Sequence, residues 1–331
     1  MLCVLCSVVE PTMGNNDCKR CLVLGGCGFL GSVIVRNLVS KGWHVRVFDK
    51  EGVDTSRLSS VLASVELMSG DFMNLGDLSH ALEDMPTVVH FIGTTIPQSS
   101  MNDIHFDIET NLLPTVRLLE LMRSRPGQRL VYASSGGTVY GIAPQPLPLQ
   151  ESAVTDPISS YGISKLSIEK YIRLFGYNYG LPYAILRFAN PYGESQYTGR
   201  PQGAVGVFLH KIMLGEEIAI WGDGSVVRDY IYEEDVALAV EAVMNSPQIP
   251  SGIYNVGTGT GTSLNELLDI IRKESGKKCR VNYDPSRSFD VPYNVLDISK
   301  ITRETGWTPR YSLDAGIRKI MLGLDLAKDV G

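Results

Sequence analysis

The sequence predicts an α/β protein: a doubly wound parallel sheet with a smaller α/β substrate domain. Three observations carry that expectation. Short apolar runs that end in Gly, Asp or Ser alternate with stretches of helical spacing. One such run, Cys21-Leu22-Val23-Leu24, leads into Gly25-Gly26-Cys27-Gly28-Phe29-Leu30-Gly31, and helical spacing follows from Ser32 to Val39. Gly25, Asp49, Asp71, Gly93 and Ser135 all fall at the carboxyl ends of predicted strands, where doubly wound sheets bind their ligands.

The first strand, turn and helix set the pattern. Glycine serves where the backbone takes positive φ or comes close to another group, and a helix N-terminus offers free N–H groups and a positive dipole end to a pyrophosphate. The spacing Gly25-x-x-Gly28-x-x-Gly31 departs from the G-x-G-x-x-G dinucleotide fingerprint, so the other strand ends must support it. Val45-Arg46-Val47-Phe48-Asp49 reads as the second strand. Its acid suits the adenosine ribose hydroxyls and repels a 2′-phosphate, which favours NAD over NADP. Val65 to Phe72 reads as the third strand, Leu75 to Leu82 as a weak helix, and Thr87 to Gly93 as the fourth strand. Asn111 to Met122 has amphipathic helical spacing, and Arg129 to Ser135 is a fifth strand. Helical spacing resumes from Ser160 to Tyr171, and Ala184 to Phe188 is a sixth strand. Two later pieces, the helix Asp235 to Met244 and the strand Gly252 to Val256, read as returning to the first domain.

This gives expected bounds of 19–190 for the NAD-binding domain, with 226–256 packing back on it. The substrate domain takes 191–225 and 257–331, and 1–18 reads as a disordered extension, with Met13 as a candidate start. A chain of 331 residues with 44% hydrophobic and 20% charged residues builds a sizeable core. A net charge of -6 without a Lys/Arg cluster argues against a nucleic-acid or anionic-membrane partner. No apolar run approaches the ~20 residues of a membrane span, and the apolar stretch from Leu2 to Val9 lacks a signal peptide's basic start. Cys3, Cys6, Cys18 and Cys21 have zinc-like C-x2-C spacing, yet Cys21 opens an apolar strand, so no metal is expected. Cys27 and Cys279 have no evident partner, which suits a reducing cytoplasm.

The chemistry centres on Ser160-Tyr161-Gly162-Ile163-Ser164-Lys165. Tyr161 and Lys165, four residues apart, project from one helix face. The ammonium favours a phenolate, as does the positive ring of NAD+, so a phenol of ordinary pKa near 10 can act as a general base. Lys165 can also hydrogen-bond the nicotinamide ribose.

With these residues in place, the chain resembles an extended short-chain dehydrogenase/reductase. Within that group it is similar to the nucleotide-sugar epimerase/dehydratase family, close to UDP-glucose 4-epimerases. The resemblance runs from about Lys19 to Trp307. Gly25 to Gly31 matches the family's G-G-x-G-F-x-G, which brings Phe29 and Leu30 into the NAD site. Gly70-Asp71 matches its adenine-contacting acid, with Phe72 beside it. Phe91-Ile92-Gly93 matches the nicotinamide-side strand end, Asn111 an asparagine near the cofactor, and Phe188 the strand end that passes to the substrate. Ser134 to Gly141 matches the segment of the catalytic Ser or Thr, but that hydroxyl falls where this chain has Gly136. The resemblance makes Thr138 the first substitute and Ser135 the second.

The resemblance also implies a UDP-sugar site made by Thr138, Asn190, Ile220 and Arg228, with Arg287 and Asp290 as the late pair that grips pyrophosphate and ribose. Guanidinium forks suit a diphosphate. Tyr232 stands where the R-D-Y-I-H signature has histidine. Asn294 aligns with a position that bounds the pocket beside the sugar C2 substituent, where a small residue leaves room for an N-acetyl group. The implied activity is NAD-dependent 4-epimerisation of a UDP-hexose by transient C4 oxidation, in a homodimer formed through two helices per subunit. A nucleotide-sugar 4,6-dehydratase is the alternative enzyme. It needs an Asp-Glu pair where this chain has Gly137 and Thr138. A catalytically silent NAD-binding regulator is the alternative of another class, kept open by Gly136.

Overall fold

The computed structural model describes residues 19–143, 145, 147–197, 203–246, 248–286 and 291–329. Seven parallel strands form the main sheet: β1 (Arg20–Leu24), β2 (His44–Asp49), β3 (Val65–Ser69), β4 (Thr87–His90), β5 (Arg129–Ser135), β6 (Tyr183–Phe188) and β10 (Gly252–Val256). Their spatial order is β10-β6-β5-β4-β1-β2-β3. The chain therefore runs outward from β1 through β3 and then crosses back to place β4 on the other side of β1. The crevice at that reversal is where such sheets hold dinucleotides.

Strand alternation divides the core. Along β1, Cys21 and Val23 face the layer of the helices Phe29–Ser40 and Glu233–Met244, where Ile34, Leu38, Val236 and Val240 are buried. Leu22 and Leu24 face the opposite layer, formed by the helices Leu113–Arg123 and Ser160–Tyr179 with Leu118, Met122, Ile168 and Ile172. A strand buried on both faces reads as a continuous apolar run, as β1 does.

The second lobe has a sheet in which β9 (Val227–Tyr232) pairs with β7 (Asn190–Tyr192), β11 (Gly261–Ser263) and β13 (Tyr293–Asn294). A separate parallel pair joins β8 (Ile218–Trp221) to β12 (Val281–Asp284). Phe208, Leu209, Tyr230, Leu267, Ile271 and Ile317 form its core. The expectation that 226–256 returns as one piece needs correction. The helix Glu233–Met244 and β10 do pack on the main sheet, whereas β9 belongs to the second lobe.

Two helices also differ from their expected form. The stretch expected as one helix from Asn111 begins as a five-residue π turn, Ile108–Leu112, and only then becomes the α-helix Leu113–Arg123. Pro114 has no N–H to offer the carbonyl four residues back, and the wider turn absorbs that loss. The Thr110 and Thr115 hydroxyls each bond the carbonyl four residues before them, at 2.6 Å. The helix that carries Tyr161 runs past Tyr171 to Tyr179, where Gly180 closes it in the left-handed region at φ 67°. Exposed Tyr171, Leu174 and Tyr177 interrupt the apolar period there, which hides the last two turns from a pattern reading.

Candidate active site

The glycine turn is shaped by backbone contacts. Gly25 has φ 80°, and a Cβ on it would lie 3.0 Å from the Ile92 nitrogen. A Cβ on Gly31 would lie 2.1 Å from the Gly25 carbonyl oxygen, so the turn folds against the helix only with glycine there. Gly28 donates to the Gly25 carbonyl at 3.2 Å and caps the helix Phe29–Ser40. The free N–H groups of that helix open into a cleft of about 520 Å³. Gly25, Gly28, Phe29, Leu30 and Gly31 line it on one side, and Phe91, Gly93, Ser135, Tyr161, Lys165 and Phe188 on the other. Phe91 and Phe188 stack tilted at 5.6 Å, forming its floor.

A second cavity of about 1010 Å³ continues past Gly25 and Gly28 to Asp49, Asp71, Phe72 and Ile92. Asp49 accepts from the Cys27 nitrogen at 3.0 Å, tying the acid at the end of β2 to the glycine turn. Asp71 accepts from the Met73 nitrogen at 2.9 Å, and its own nitrogen donates to Asp77. Asn111 braces the rim: its carbonyl accepts from the Thr94 nitrogen at 3.0 Å and its amide donates to Thr94 Oγ1 at 2.8 Å.

Tyr161 and Lys165 meet in the cleft as their helical spacing implies. The Lys165 ammonium lies 5.6 Å from the Tyr161 ring centroid and 4.9 Å from that of Tyr132, and it donates to the Ala133 carbonyl at 2.8 Å. Burial pushes the Lys165 ammonium down to about 8, opposed by the charges of Asp107 and Glu169. Burial pushes the Tyr161 phenol up to about 12, against a hydrogen bond from the Ser135 side chain that favours the phenolate. In the protein alone, then, desolvation and the charge of Asp107 outweigh the Ser135 bond, and the phenol stays protonated at neutral pH. A positive ring bound beside it acts in the opposite direction.

The turn after β5 is clamped on both sides. Ser134 donates to Glu169 at 2.5 Å, and Glu169 forms a buried pair with Arg187 at 2.6 Å. A Cβ on Gly136 would lie 2.6 Å from the Leu296 side chain and 3.1 Å from the Arg187 carbonyl oxygen, so a hydroxyl-bearing residue at the position where the family usually has one would force its neighbours to shift. Ser135 faces Tyr161 in the cleft. Thr138 faces a different cavity, and its buried hydroxyl has no hydrogen-bond partner among the described residues.

That cavity, about 350 Å³, is lined by Thr138, Asn190 and Arg228, together with Gln98, Tyr230 and Val291. Asn190 donates to the Asp229 carbonyl at 3.0 Å, and Arg228 to the Val227 carbonyl at 2.9 Å. Ile220 is elsewhere, buried in the core of the second lobe. Asn294 is fully buried and donates to the Gly136 carbonyl at 2.9 Å; it braces the turn after β5 and does not line the cavity. Arg287 and Asp290 lie outside the described residues, as do Cys3, Cys6 and Cys18. Cys21 is buried within β1.

The profile of the NAD dependent epimerase/dehydratase family matches residues 21–257. The chain belongs to that family. A provisionally named UDP-glucose 4-epimerase of Methanocaldococcus jannaschii is 36% identical over 302 residues, covering 91% of this chain and 96% of its own. The UDP-glucose 4-epimerase of Thermotoga maritima, solved with UDP-glucose, superimposes with a TM-score of 0.87 at 31% identity, covering 93% of this chain and 99% of its own. That of Thermus thermophilus, solved with NAD, gives 0.82 at 33% identity and covers 90% and 96%.

The site fits the cofactor of this NAD-dependent family. Gly31 keeps the helix N-terminus clear, and the two joined cavities give an elongated dinucleotide room. Two lining residues escape a sequence reading of the epimerase/dehydratase motifs. Arg57 joins the cleft from a 3₁₀ turn, Ser56–Leu58, with no motif around it. Gln196 lines both the nicotinamide-side cleft and the smaller cavity, so it stands where the two meet. No helix among the described residues is long and apolar enough to cross a membrane.

Proposed function

We propose that the protein is an NAD-dependent 4-epimerase of a UDP-hexose. The observation that carries this reading is the meeting of Tyr161, Lys165 and Ser135 in the cofactor cleft, next to the cavity of Thr138, Asn190 and Arg228. The glycine turn Gly25 to Gly31, Tyr161 and Lys165 would hold NAD, which would supply a hydride acceptor at the sugar C4. Tyr161 removes the proton of the sugar 4-hydroxyl and gives it back after the 4-keto sugar has turned over. Ser135 hydrogen-bonds the phenol and takes the part of the hydroxyl missing at Gly136; its contact with Tyr161 supports it ahead of Thr138. Arg228 and Asn190 hold the diphosphate side, and Arg287 with Asp290 completes that grip. In this reading Asp49 and Asp71 serve the adenosine end, and the two lobes divide the work as the sequence suggests.

The acting form is a cytoplasmic homodimer. Ile163, Tyr171, Leu174 and Tyr177 on the helix Ser160–Tyr179 and Leu113 on its neighbour leave an exposed apolar face on two adjacent helices, which a second copy would cover. The buried or half-buried free thiols Cys21, Cys27 and Cys279 suit a reducing compartment.

The test follows UDP-glucose and UDP-N-acetylglucosamine by NMR with the purified protein and NAD. The 4-epimer of one of them is expected. A 4-keto-6-deoxy product makes the protein a dehydratase, and an unchanged spectrum for every nucleotide sugar makes it a regulator. Ser135→Ala is expected to lower turnover by roughly 10²-fold or more, the scale of general acid–base assistance, and Thr138→Val to lower it less. The reverse order returns the missing role to Thr138.

A further inference from the structure

Asp107 is almost fully buried, at 1% exposure, and belongs to no motif of the site. It is the last residue before the π turn. Its two oxygens accept from four side chains. Ser160 Oγ lies at 2.9 Å and Ser164 Oγ at 2.7 Å, both on the helix that carries Tyr161 and Lys165. Asn111 Nδ2 lies at 3.1 Å, and Thr95 Oγ1 completes the set from the loop after β4. An ionised carboxylate has about four lone-pair sites and no proton to donate, so four donors satisfy it. All four are neutral, and among the described residues no ion pair involves Asp107.

We propose that Asp107 is a positioning residue of the active site, one that locks the Tyr161 helix to the cofactor cleft and supplies an unneutralised negative charge beside Lys165 and Tyr161. The idea rests on the epimerase reading for its consequence in turnover, and on geometry for the rest. The charged and titratable groups facing Lys165 can be named in full. Tyr161 and Glu169 share its helix, Tyr132 comes from β5, His90 from β4 and Asp107 from the segment before the π turn. Glu169 is neutralised by Arg187, and burial keeps His90 uncharged by holding its pKa at about 3, with Lys165 adding to that effect. Asp107 is therefore the carboxylate of the set without an ion pair among the described residues; it acts on Lys165 ahead of Glu169, and on Tyr161 as well. It opposes the downward push of burial on Lys165 and adds to the upward push on Tyr161. Removing a negative charge lowers the pKa of each neighbour, so the titrations of Lys165 and Tyr161 should move together toward acid.

Asp107→Asn removes the charge but keeps the shape, because serine and threonine hydroxyls can turn to accept from the new amide. The measurement is a pH titration of tyrosinate absorbance on the NAD-loaded protein, with Tyr161→Phe as the blank. Asp107→Asn is expected to move the Tyr161 inflection to lower pH by about one unit, and the pH profile of kcat in the same direction. Ser164→Ala keeps the charge and removes one bond; it is expected to lower Tm and leave the inflection in place. A titration of Asp107→Asn that superimposes on that of the natural protein overturns the proposal. So does an equal shift in Ser164→Ala. If Asp107→Asn does not fold, Asp107→Ser, which removes the charge with a smaller side chain, takes its place in the same titration: a shifted Tyr161 inflection supports the proposal and an unshifted one overturns it. The titration needs no sugar. A shifted inflection without epimer formation fails only the proposed reaction, and an unshifted inflection in an active epimerase fails only the role of Asp107.

Discussion

Two buried carboxylates serve the helix that carries Tyr161 and Lys165, Glu169 from within it and Asp107 from the segment before the π turn, and their neighbours set them apart. Glu169 has a guanidinium: Arg187 reaches it through Nε at 3.0 Å and through its terminal nitrogen at 2.6 Å, and Ser134 adds a third bond. Among the described residues, Asp107 has only hydroxyls and an amide. A forked ion pair of this kind fixes geometry and sets a positive charge against the negative one. A carboxylate met by neutral donors holds geometry and keeps its charge. The Glu169–Arg187 pair joins β5, β6 and the helix beneath the turn after β5, whereas Asp107 opposes the effect of burial on Lys165 from the segment before the π turn. One fold thus uses the same functional group as a clamp in one place and as a source of field in another.

The largest effect is expected from breaking the clamp. Arg187→Leu leaves Glu169 buried without its partner, a change that costs about 3–5 kcal/mol. Urea unfolding should show that loss. A loss below about 1 kcal/mol, the level of an exposed pair, would mean that the clamp contributes no more than a surface bridge.

Next comes the group between the two carboxylates. The Lys165 pKa falls from 10.5 to about 8 on folding, so the folded chain binds fewer protons and stability rises with pH across that window. Below about pH 8 the cost of the buried ammonium is fully present, roughly 3 kcal/mol at most. Lys165→Met should therefore abolish turnover yet raise Tm at pH 7. That gain should fade as pH climbs from about 8 towards 10.5. A constant gain across this range would show that packing is responsible and charge is not.

The smallest effect concerns the turn that the clamp supports. Gly136→Ala drives a methyl into Leu296 and is expected to cost about 1–3 kcal/mol, as overpacking does. Leu296→Ala in the same chain should recover part of that loss. No recovery in differential scanning calorimetry would shift the cause to the backbone carbonyl of Arg187, which lies 3.1 Å from the added carbon.

Much of the site was readable because its signals are local. The glycine turn requires close approaches within seven residues, Gly25 against Gly31 above all, and a pattern of glycines records them directly. Tyr161 and Lys165 share a helix face, and four residues of spacing are enough to show it. Asp49 and Asp71 stand at strand ends that alternation marks. The π turn was hidden because Pro114 looks like an ordinary first-turn proline, and only the hydrogen-bond ladder shows that the helix had begun earlier.

By itself the sequence determined the sheet-and-helix rhythm, the cofactor turn and the Tyr161/Lys165 pair, since each depends on contacts between near neighbours in the chain. Tertiary structure decided what lies around them. It brought Asp107 to Ser160 and Ser164, which follow it by 53 and 57 residues, and Asn294 to the Gly136 carbonyl 158 residues away. It also turned Ser135 toward Tyr161 while Thr138 faced the neighbouring cavity. Those outcomes follow from how the layers and lobes pack. Burial and field depend on that packing, and spacing along the chain does not record them.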